Sequence, residues 1–563
     1  MSATSPARRA SPWPRPADGG ARLFRATADT ELGALGSKCP GARWMASVRW
    51  WVGVYSVAGQ AANLVADRLE QIRDTVTAKA AVPSNVVGRF SSHLNESDSV
   101  LWSIERDPVL RTTIVAVSML DRSPNWKRLR QRMDEACVQV PRLRQKIVST
   151  PLRVGPPRWQ DDERFDLDYH LRRVVCPPPG DLRTVLDMAG LFDMAAFDKD
   201  RPLWEFTLVE GLTGGRAAFI QKVHHAFTDG VGGVKMAELL LDDSRSPKTR
   251  RHVGPGERSK EIGSLEAIVQ PLAANARTAV ALWVRGARAL PSFATAAVLR
   301  PDRAVGAGVR SARSIVKLLA PAMTPLSPVM VGRGLSRHFD AFDVPLADLL
   351  AAAHAADSTL NDAFLASITE GLRRYHERRG SPVTALRVTM PINLRRPDDT
   401  LGNNRFVPAR LTIPIDAVDA SQRMQRMGAL SRQWRAEPSL PLSDVIAGVL
   451  NRLPIAVTTS IFGGMLKAID FVATNVPGLP NRVYLAGAEV TREYAFAPPS
   501  GAALSFALLS HGAQCCIGVN IDTTAVPDAD DLVACVREGF DDVLSVGSRP
   551  SSRRDQSNEQ VAR

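Results

Sequence analysis

Cysteine is scarce in this chain of 563 residues: Cys39, Cys137, Cys176, Cys515, Cys516 and Cys535 are the six, and no C-x-x-C or C-x-H spacing joins them. A disulfide scaffold and a cysteine zinc site are thereby excluded as organising features, and the cytoplasmic side of a membrane is the natural compartment. Aromatic residues make up only 6% of the chain. No zinc-finger, helix-turn-helix or RNP pattern accompanies them, so a nucleic-acid reading would rest on net charge alone. Histidine is limited to nine residues. None forms H-x-x-x-H or H-E-x-x-H, and no metal site is expected. G-x-S-x-G is missing too, which leaves Ser505 and Cys515 without the pattern of a hydrolase nucleophile. Long apolar runs are lacking. The stretch from Trp50 to Ala66 is short for a membrane span, and Gln60 and Asn63 dilute it. No secretory signal with a small-residue cleavage site opens the chain.

What is present is ample core material: 45% hydrophobic and 23% charged residues, as in a folded globular protein. The length suits two to four domain-sized units. Lys and Arg number 71 against 58 Asp and Glu, a formal net charge of +13. The segment from Arg245 to Lys317 holds 14 basic and four acidic residues, so most of the excess lies there. Such a block attracts anionic lipid or an anionic cofactor, and nucleic acid ranks below lipid without a supporting motif.

Composition divides the chain into a variable leader over 1–90, a mixed α/β unit over 91–243, a basic helical crossover over 244–335, a second mixed unit over 336–547 and a polar tail over 548–563. Residues 1–43 read as disordered. Trp44, Trp50 and Trp51 then suit either an interfacial helix with aromatic anchors or an amphipathic docking helix. Met45 is an alternative start. In the crossover, helices are expected at Ile268–Leu290 and Val309–Leu319. Arg277, Arg285 and Arg288 lie there among Val280, Leu282, Trp283 and Val284, a pattern that fits a membrane-surface helix and also, the preferred reading, a core-facing helix with a solvated side. The second unit reads as helices at Leu346–His354 and Asn361–Arg374 and strands at Leu386–Met390, Phe406–Ile415 and Asp470–Thr474. A hairpin of Ala503–Ser510 with Cys515–Ile521 and a last helix at Asp528–Leu544 complete it.

One segment carries chemistry. Leu203–Glu210 alternates apolar and polar positions, Gly211–Gly215 is a turn, and Ala217–Val223 reads as the returning strand. That strand runs into His224-His225-Ala226-Phe227-Thr228-Asp229-Gly230, and a helix is expected over Val231–Leu241. A neutral imidazole can take a proton from an alcohol and return it to a leaving thiolate. Asp229 could fix the loop or orient the ring, and Gly230 permits close approach of substrate.

HHxxxDG resembles the motif of acyl-CoA-dependent acyltransferases built like chloramphenicol acetyltransferase and peptide-synthetase condensation domains. The nearer resemblance is to the bacterial wax ester synthase/diacylglycerol acyltransferase family. Pro202-Leu203-Trp204 matches that family's PLW, Asn361-Asp362 its ND, and Asn475-Val476-Pro477-Gly478 its NVPG. Leu94-Asn95-Glu96-Ser97-Asp98, with Glu105 seven beyond the Asp, is similar to its opening LSxxD…E. The resemblance covers about 91–547. Asn95 replaces the usual Ser, Leu479 intervenes after NVPG, and the leader has no counterpart.

The resemblance implies an α/β fold of mixed sheets in two lobes, with an active-site tunnel between them. It implies transfer of a long-chain acyl group from acyl-CoA, a substrate with no further cofactor, to diacylglycerol or a long-chain alcohol. His225 would be the general base, acting without an acyl-enzyme, while His224 and Asp229 would be chiefly structural. Asn361 would position substrate or cap a helix, and the two roles can coexist. Asp362 reads as structural and Trp204 as core, although PLW, like Asn475, Pro477 and Gly478, belongs to the implied substrate-binding set. The protein would sit peripherally on the inner face of the plasma membrane or on lipid inclusions. The rival readings are a different hydroxyl or amine acceptor and a non-catalytic lipid-binding protein.

Overall fold

The computed structural model describes residues 92–149, 156–227, 230–246, 324–393, 406–435, 451 and 455–548. The leader, the expected crossover helices at Ile268–Leu290 and Val309–Leu319, the tail beyond Ser548, and Thr228 and Asp229 of the motif lie outside them.

The chain enters through α1 (Glu96–Ile104), β1 (Thr113–Leu120), α2 (Trp126–Gln139), β2 (Gln145–Val148) and β3 (Arg158–Asp161). It continues with α3 (Leu167–His170), β4 (Leu171–Val175), α4 (Leu182–Met194), β5 (Trp204–Leu212), β6 (Arg216–His224), α5 (Gly230–Leu240) and β7 (Leu241–Asp242). The second half holds β8 (Arg337–Pro345), α6 (Leu346–Ala355), α7 (Leu360–Arg378), β9 (Ala385–Asn393), β10 (Phe406–Pro414), α8 (Ala420–Arg435) and α9 (Ile455–Lys467). It ends with β11 (Phe471–Val476), β12 (Tyr484–Leu485), β13 (Ala488–Phe496), β14 (Leu504–His511), β15 (Gln514–Asp522) and α10 (Ala529–Ser548).

Local chemistry explains many of these elements. Asn95 caps α1 by accepting from the Asp98 N–H at 2.6 Å. Asn serves that position as well as Ser does, so its departure from the family's Ser costs the helix nothing. In α2, Leu129, Met133, Ala136 and Cys137 are buried, a single stripe at helical spacing. The turn between β5 and β6 places Gly214 at φ 79° and Gly215 at φ 72°, a region that side chains with a Cβ disfavour. The hairpin therefore forms where alternation and glycine predict it. In α7, Phe364, Ile368, Leu372 and Tyr375 face the core.

Two large sheets organise these elements. The first has strand order β4-β5-β6-β1-β13-β12-β7 and the second β10-β9-β11-β14-β15-β8. The linear division placed 336–547 in the second unit. The structure differs: β12 and β13 leave that unit and pair in the first sheet, Ser118 of β1 facing Glu493 of β13. The physical reason is β1 itself. Val115 and Val117 have no exposed surface, so both edges of the strand need partners, and β6 supplies only one. Phe496 of β13 stacks on Phe339 of β8 at 4.2 Å between ring centres, which joins the lobes at this strand. The second sheet packs under α7 and α10 around Phe364, Phe506 and Phe540. Among the described residues, no helix is long and apolar enough to cross a membrane.

Candidate active site

β6 delivers the histidine pair. Thr113 of β1 faces His224, and the Thr112 carbonyl accepts the His225 N–H at 2.9 Å, so the ladder extends one residue beyond the strand. Successive side chains of a strand point to opposite faces. His224 therefore shares a face with Lys222 and Ile220, and His225 shares the other with Val223 and Gln221.

The His224 side is closed. The ring is buried, with Nε2 2.8 Å from Glu105 Oε1, and Nδ1 accepts the Ala226 N–H at 3.0 Å. Trp102 and Phe197 pack edge-on against it. Nδ1 is thus committed as an acceptor, and Nε2 stands against the Glu105 carboxylate. Glu105 also accepts from the Thr112 N–H at 2.8 Å and the Thr112 hydroxyl at 2.6 Å. Burial would raise its carboxyl, but the His224 ring and the Thr112 donors outweigh it and hold the group at about 2. Glu105, marked in the sequence only as part of an opening pattern, is the residue that fixes the first histidine.

The His225 side is open. Ile114 and Ala116 of β1, Val223 and Gln221 of β6, and Ala495 and Glu493 of β13 form the floor of a cavity. Met133 and Ala136 of α2 and Val234, Met236 and Leu240 of α5 roof it, and Val476 and Leu509 of the second sheet close one wall. The cavity volume is about 100 Å³, and the cleft around it is partly open to solvent. Arg128 and Arg132 of α2 each place a guanidinium nitrogen 2.6 Å from the Asp242 carboxylate beyond α5, which ties the two roof helices together.

The remaining motif residues separate into different roles. Leu203 and Trp204 have no exposed surface. Trp204 Nε1 donates to the Leu143 carbonyl at 2.8 Å, and its ring stacks on His170 at 4.6 Å. The Leu203 carbonyl accepts the His224 N–H at 3.1 Å. PLW is buried, Pro202 beside the other two, and it braces the histidine strand. Asn361 does not cap α7. Thr359 does, and Asp362 returns the bond to the Thr359 N–H at 3.0 Å, a reciprocal box. Asn361 lies in the first turn of α7, away from the cavity wall. Asn475 faces Leu508 in the parallel β11–β14 pair, and Val476 reaches the cavity. Gly478 passes so close to β14 that a Cβ there would stand 2.0 Å from the Ser510 carbonyl oxygen. Pro477 and Gly478 thus shape the wall, while Asp229 falls outside the described residues and Gly230 opens α5. One cluster of metal-ligand type occurs among the described residues, His338, Asp340 and Asp530, far from the histidine pair in sequence. Arg537 and Arg183 compete there for Asp340.

Comparison with known proteins supplies the family. Residues 94–364 match the model of the wax ester synthase/diacylglycerol acyltransferase catalytic domain, and residues 402–543 match that of the C-terminal domain of the same family. A Mycobacterium tuberculosis protein described as a diacylglycerol O-acyltransferase is 38% identical over 466 residues, covering 83% of this chain and 94% of the relative. The wax ester synthase/diacylglycerol acyltransferase of Marinobacter aquaeolei VT8 has a similar fold, with TM-score 0.55 and 20% identity, covering 81% of this chain and all of that one. The first condensation domain of the calcium-dependent antibiotic synthetase shares the fold at TM-score 0.51 and 14% identity, covering 83% and 98% of the two chains.

Proposed function

This chain belongs to the wax ester synthase/diacylglycerol acyltransferase family and is an acyltransferase, and from that premise we propose that it moves a long-chain acyl group from acyl-CoA to the hydroxyl of a diacylglycerol or a long-chain alcohol, with His225 as general base. The observation that carries the assignment is the opposed orientation of the two histidines. His224 is held on the closed side by the Ala226 N–H and the Glu105 carboxylate, and strand alternation turns His225 to the opposite face of the sheet, the one on which Gln221 and Val223 line the apolar cavity.

The His225 ring takes the proton of the acceptor hydroxyl as its oxygen attacks the thioester carbonyl. The tetrahedral intermediate collapses with cleavage of the carbon–sulfur bond, and the imidazolium returns the proton to the departing CoA thiolate. Acyl-CoA enters as a substrate, and the step as written requires no metal or further cofactor. Glu105 and His224 hold the strand end from behind.

Acyl-CoA carries several phosphate charges, and a chain with net charge +13 draws them in. Both lipid substrates reside in membranes or inclusions, so we assign the protein to the inner membrane face or an inclusion surface, held peripherally. Deleting residues 1–90 should weaken flotation with anionic vesicles and spare turnover of soluble substrates. Lost turnover with unchanged flotation would refute that attachment.

Thiol release from palmitoyl-CoA, with hexadecanol or dipalmitin as acceptor, tests the reaction. Acceptor-dependent release should fall by about 10²–10⁴-fold in His225→Ala. A folded wild-type protein that releases thiol with neither acceptor would refute this pairing of substrates.

A further inference from the structure

The wall of the cavity is hydrocarbon except at Glu493 and Gln221, and the acyl-transfer step uses neither. Glu493 is only 7% exposed. Ser118 faces it across the β1–β13 ladder, and the Ser118 hydroxyl donates to its carboxyl. Gln221 Nε2 in turn donates to Ser118 Oγ at 3.3 Å. Among the described residues no Lys, Arg or His is paired with Glu493. Burial therefore dominates and pushes its carboxyl up to about 7, with Ser118 pulling weakly the other way. Near neutral pH such a group both donates and accepts hydrogen bonds.

A carboxyl in an otherwise apolar wall, with Ser118 as its side-chain donor among the described residues, can exchange a further hydrogen bond with a ligand group. That group borders the apolar space between the first sheet, α2 and α5. We propose that Glu493, Ser118 and Gln221 form a specificity site for an oxygen carried far along that chain: a hydroxyl or keto group at or near the distal end of a long-chain acyl donor.

The strand register sets the distance. The Thr112 carbonyl takes the His225 N–H, and Ser118, six residues on, faces Glu493. At strand rise this is about 20 Å. One lipid tail spans about half of a bilayer's hydrocarbon core, roughly 15 Å. A chain whose thioester lies at His225 and which follows the strands runs toward Glu493, and its last carbons are the ones that approach the carboxyl. The ester oxygens of a diacylglycerol lie a few bonds from the reacting hydroxyl and stay at the histidine end, so the site is matched to the chain and not to a glyceride backbone. This rests on His225 marking the reacting end.

The test is equilibrium binding without acceptor, by titration calorimetry on the full chain. The ligands are palmitoyl-CoA and ω-hydroxypalmitoyl-CoA, whose CoA head fixes which end enters first. Wild type should bind the hydroxylated donor about tenfold more tightly, the ratio that one neutral hydrogen bond supplies. Glu493→Leu should abolish the preference, Glu493→Gln should keep most of it, and Gln221→Leu should reduce it, which tests the site even if the first variant fails to fold. Equal affinities in wild type, or a preference that survives in folded Glu493→Leu, would overturn the proposal. Binding is read without turnover, so selective binding by a protein that transfers no acyl group would refute the acyl-transfer reading and leave this one standing.

Discussion

Two buried glutamates stand beside the first sheet, and their surroundings drive them in opposite directions. Glu105, on the closed side, is held at about 2 by the His224 ring and the donors of Thr112, although burial alone would raise it. Glu493, on the cavity side, has burial and the single Ser118 donor, and rises to about 7. Both are nearly removed from solvent, so desolvation does not separate them. The charge of the His224 ring and the Thr112 donors beside Glu105, against Ser118 alone beside Glu493 among the described residues, do. One side of the sheet is a finished hydrogen-bond network that holds a charge and fixes a ring. The other sets a carboxyl with one side-chain donor among the described residues against an apolar space.

The sharpest test of this contrast compares adjacent residues. His224→Ala leaves the Glu105 carboxylate buried without its ring and should cost about 3–5 kcal/mol in urea unfolding. His225→Ala should change stability by less than about 1 kcal/mol while removing activity. Equal destabilisation by the two variants would break the contrast.

The glutamates should then show mirrored pH dependence. For Glu105 the folded state lies below the ordinary value of 4.5, so its stabilisation is present above that value and lost as pH falls toward about 2. For Glu493 the folded state lies above 4.5, so its contribution is complete below that value and lost as pH rises through about 7. Each amounts to about 3 kcal/mol at most. Thermal melts across pH should lose the acid slope in Glu105→Gln and the slope between 4.5 and 7 in Glu493→Gln. Slopes of the same sign would refute the donor argument.

A smaller effect tests the wall that the second sheet gives the cavity. Gly478→Ala forces a methyl group against the Ser510 carbonyl and should cost about 1–3 kcal/mol in melting experiments. An unchanged melting temperature would show that β11 can move away from β14 freely.

The readable parts of the sequence are local. The β5–β6 hairpin follows from period-two alternation and a glycine turn, and the observed strands Trp204–Leu212 and Arg216–His224 lie within two residues of the expected bounds. The expected α5, α6, α7 and α10 also come within a few residues of their observed bounds. For Asn361 the sequence reading left capping open, and Thr359 takes that place. The signal was available, because Thr359 and Asp362 have the spacing of a capping box. The strands β1, β8 and β13 went unread. Their residues alternate imperfectly, and their partners lie far along the chain. Glu105 was visible only as a letter in a pattern, and Glu493 not at all, since a lone glutamate in a strand carries no sign of what will surround it.

By itself, then, the sequence determined the histidine pair, its strand-and-helix setting and the order of the motifs around it, because hydrogen-bonding periodicity and turn chemistry act over a few residues. Only the tertiary structure decided which histidine faces the cavity, which glutamate is satisfied and which sheet receives β13. Those outcomes depend on pairing between β1, β6 and β13, where a shift of one residue would exchange the two faces and everything they carry.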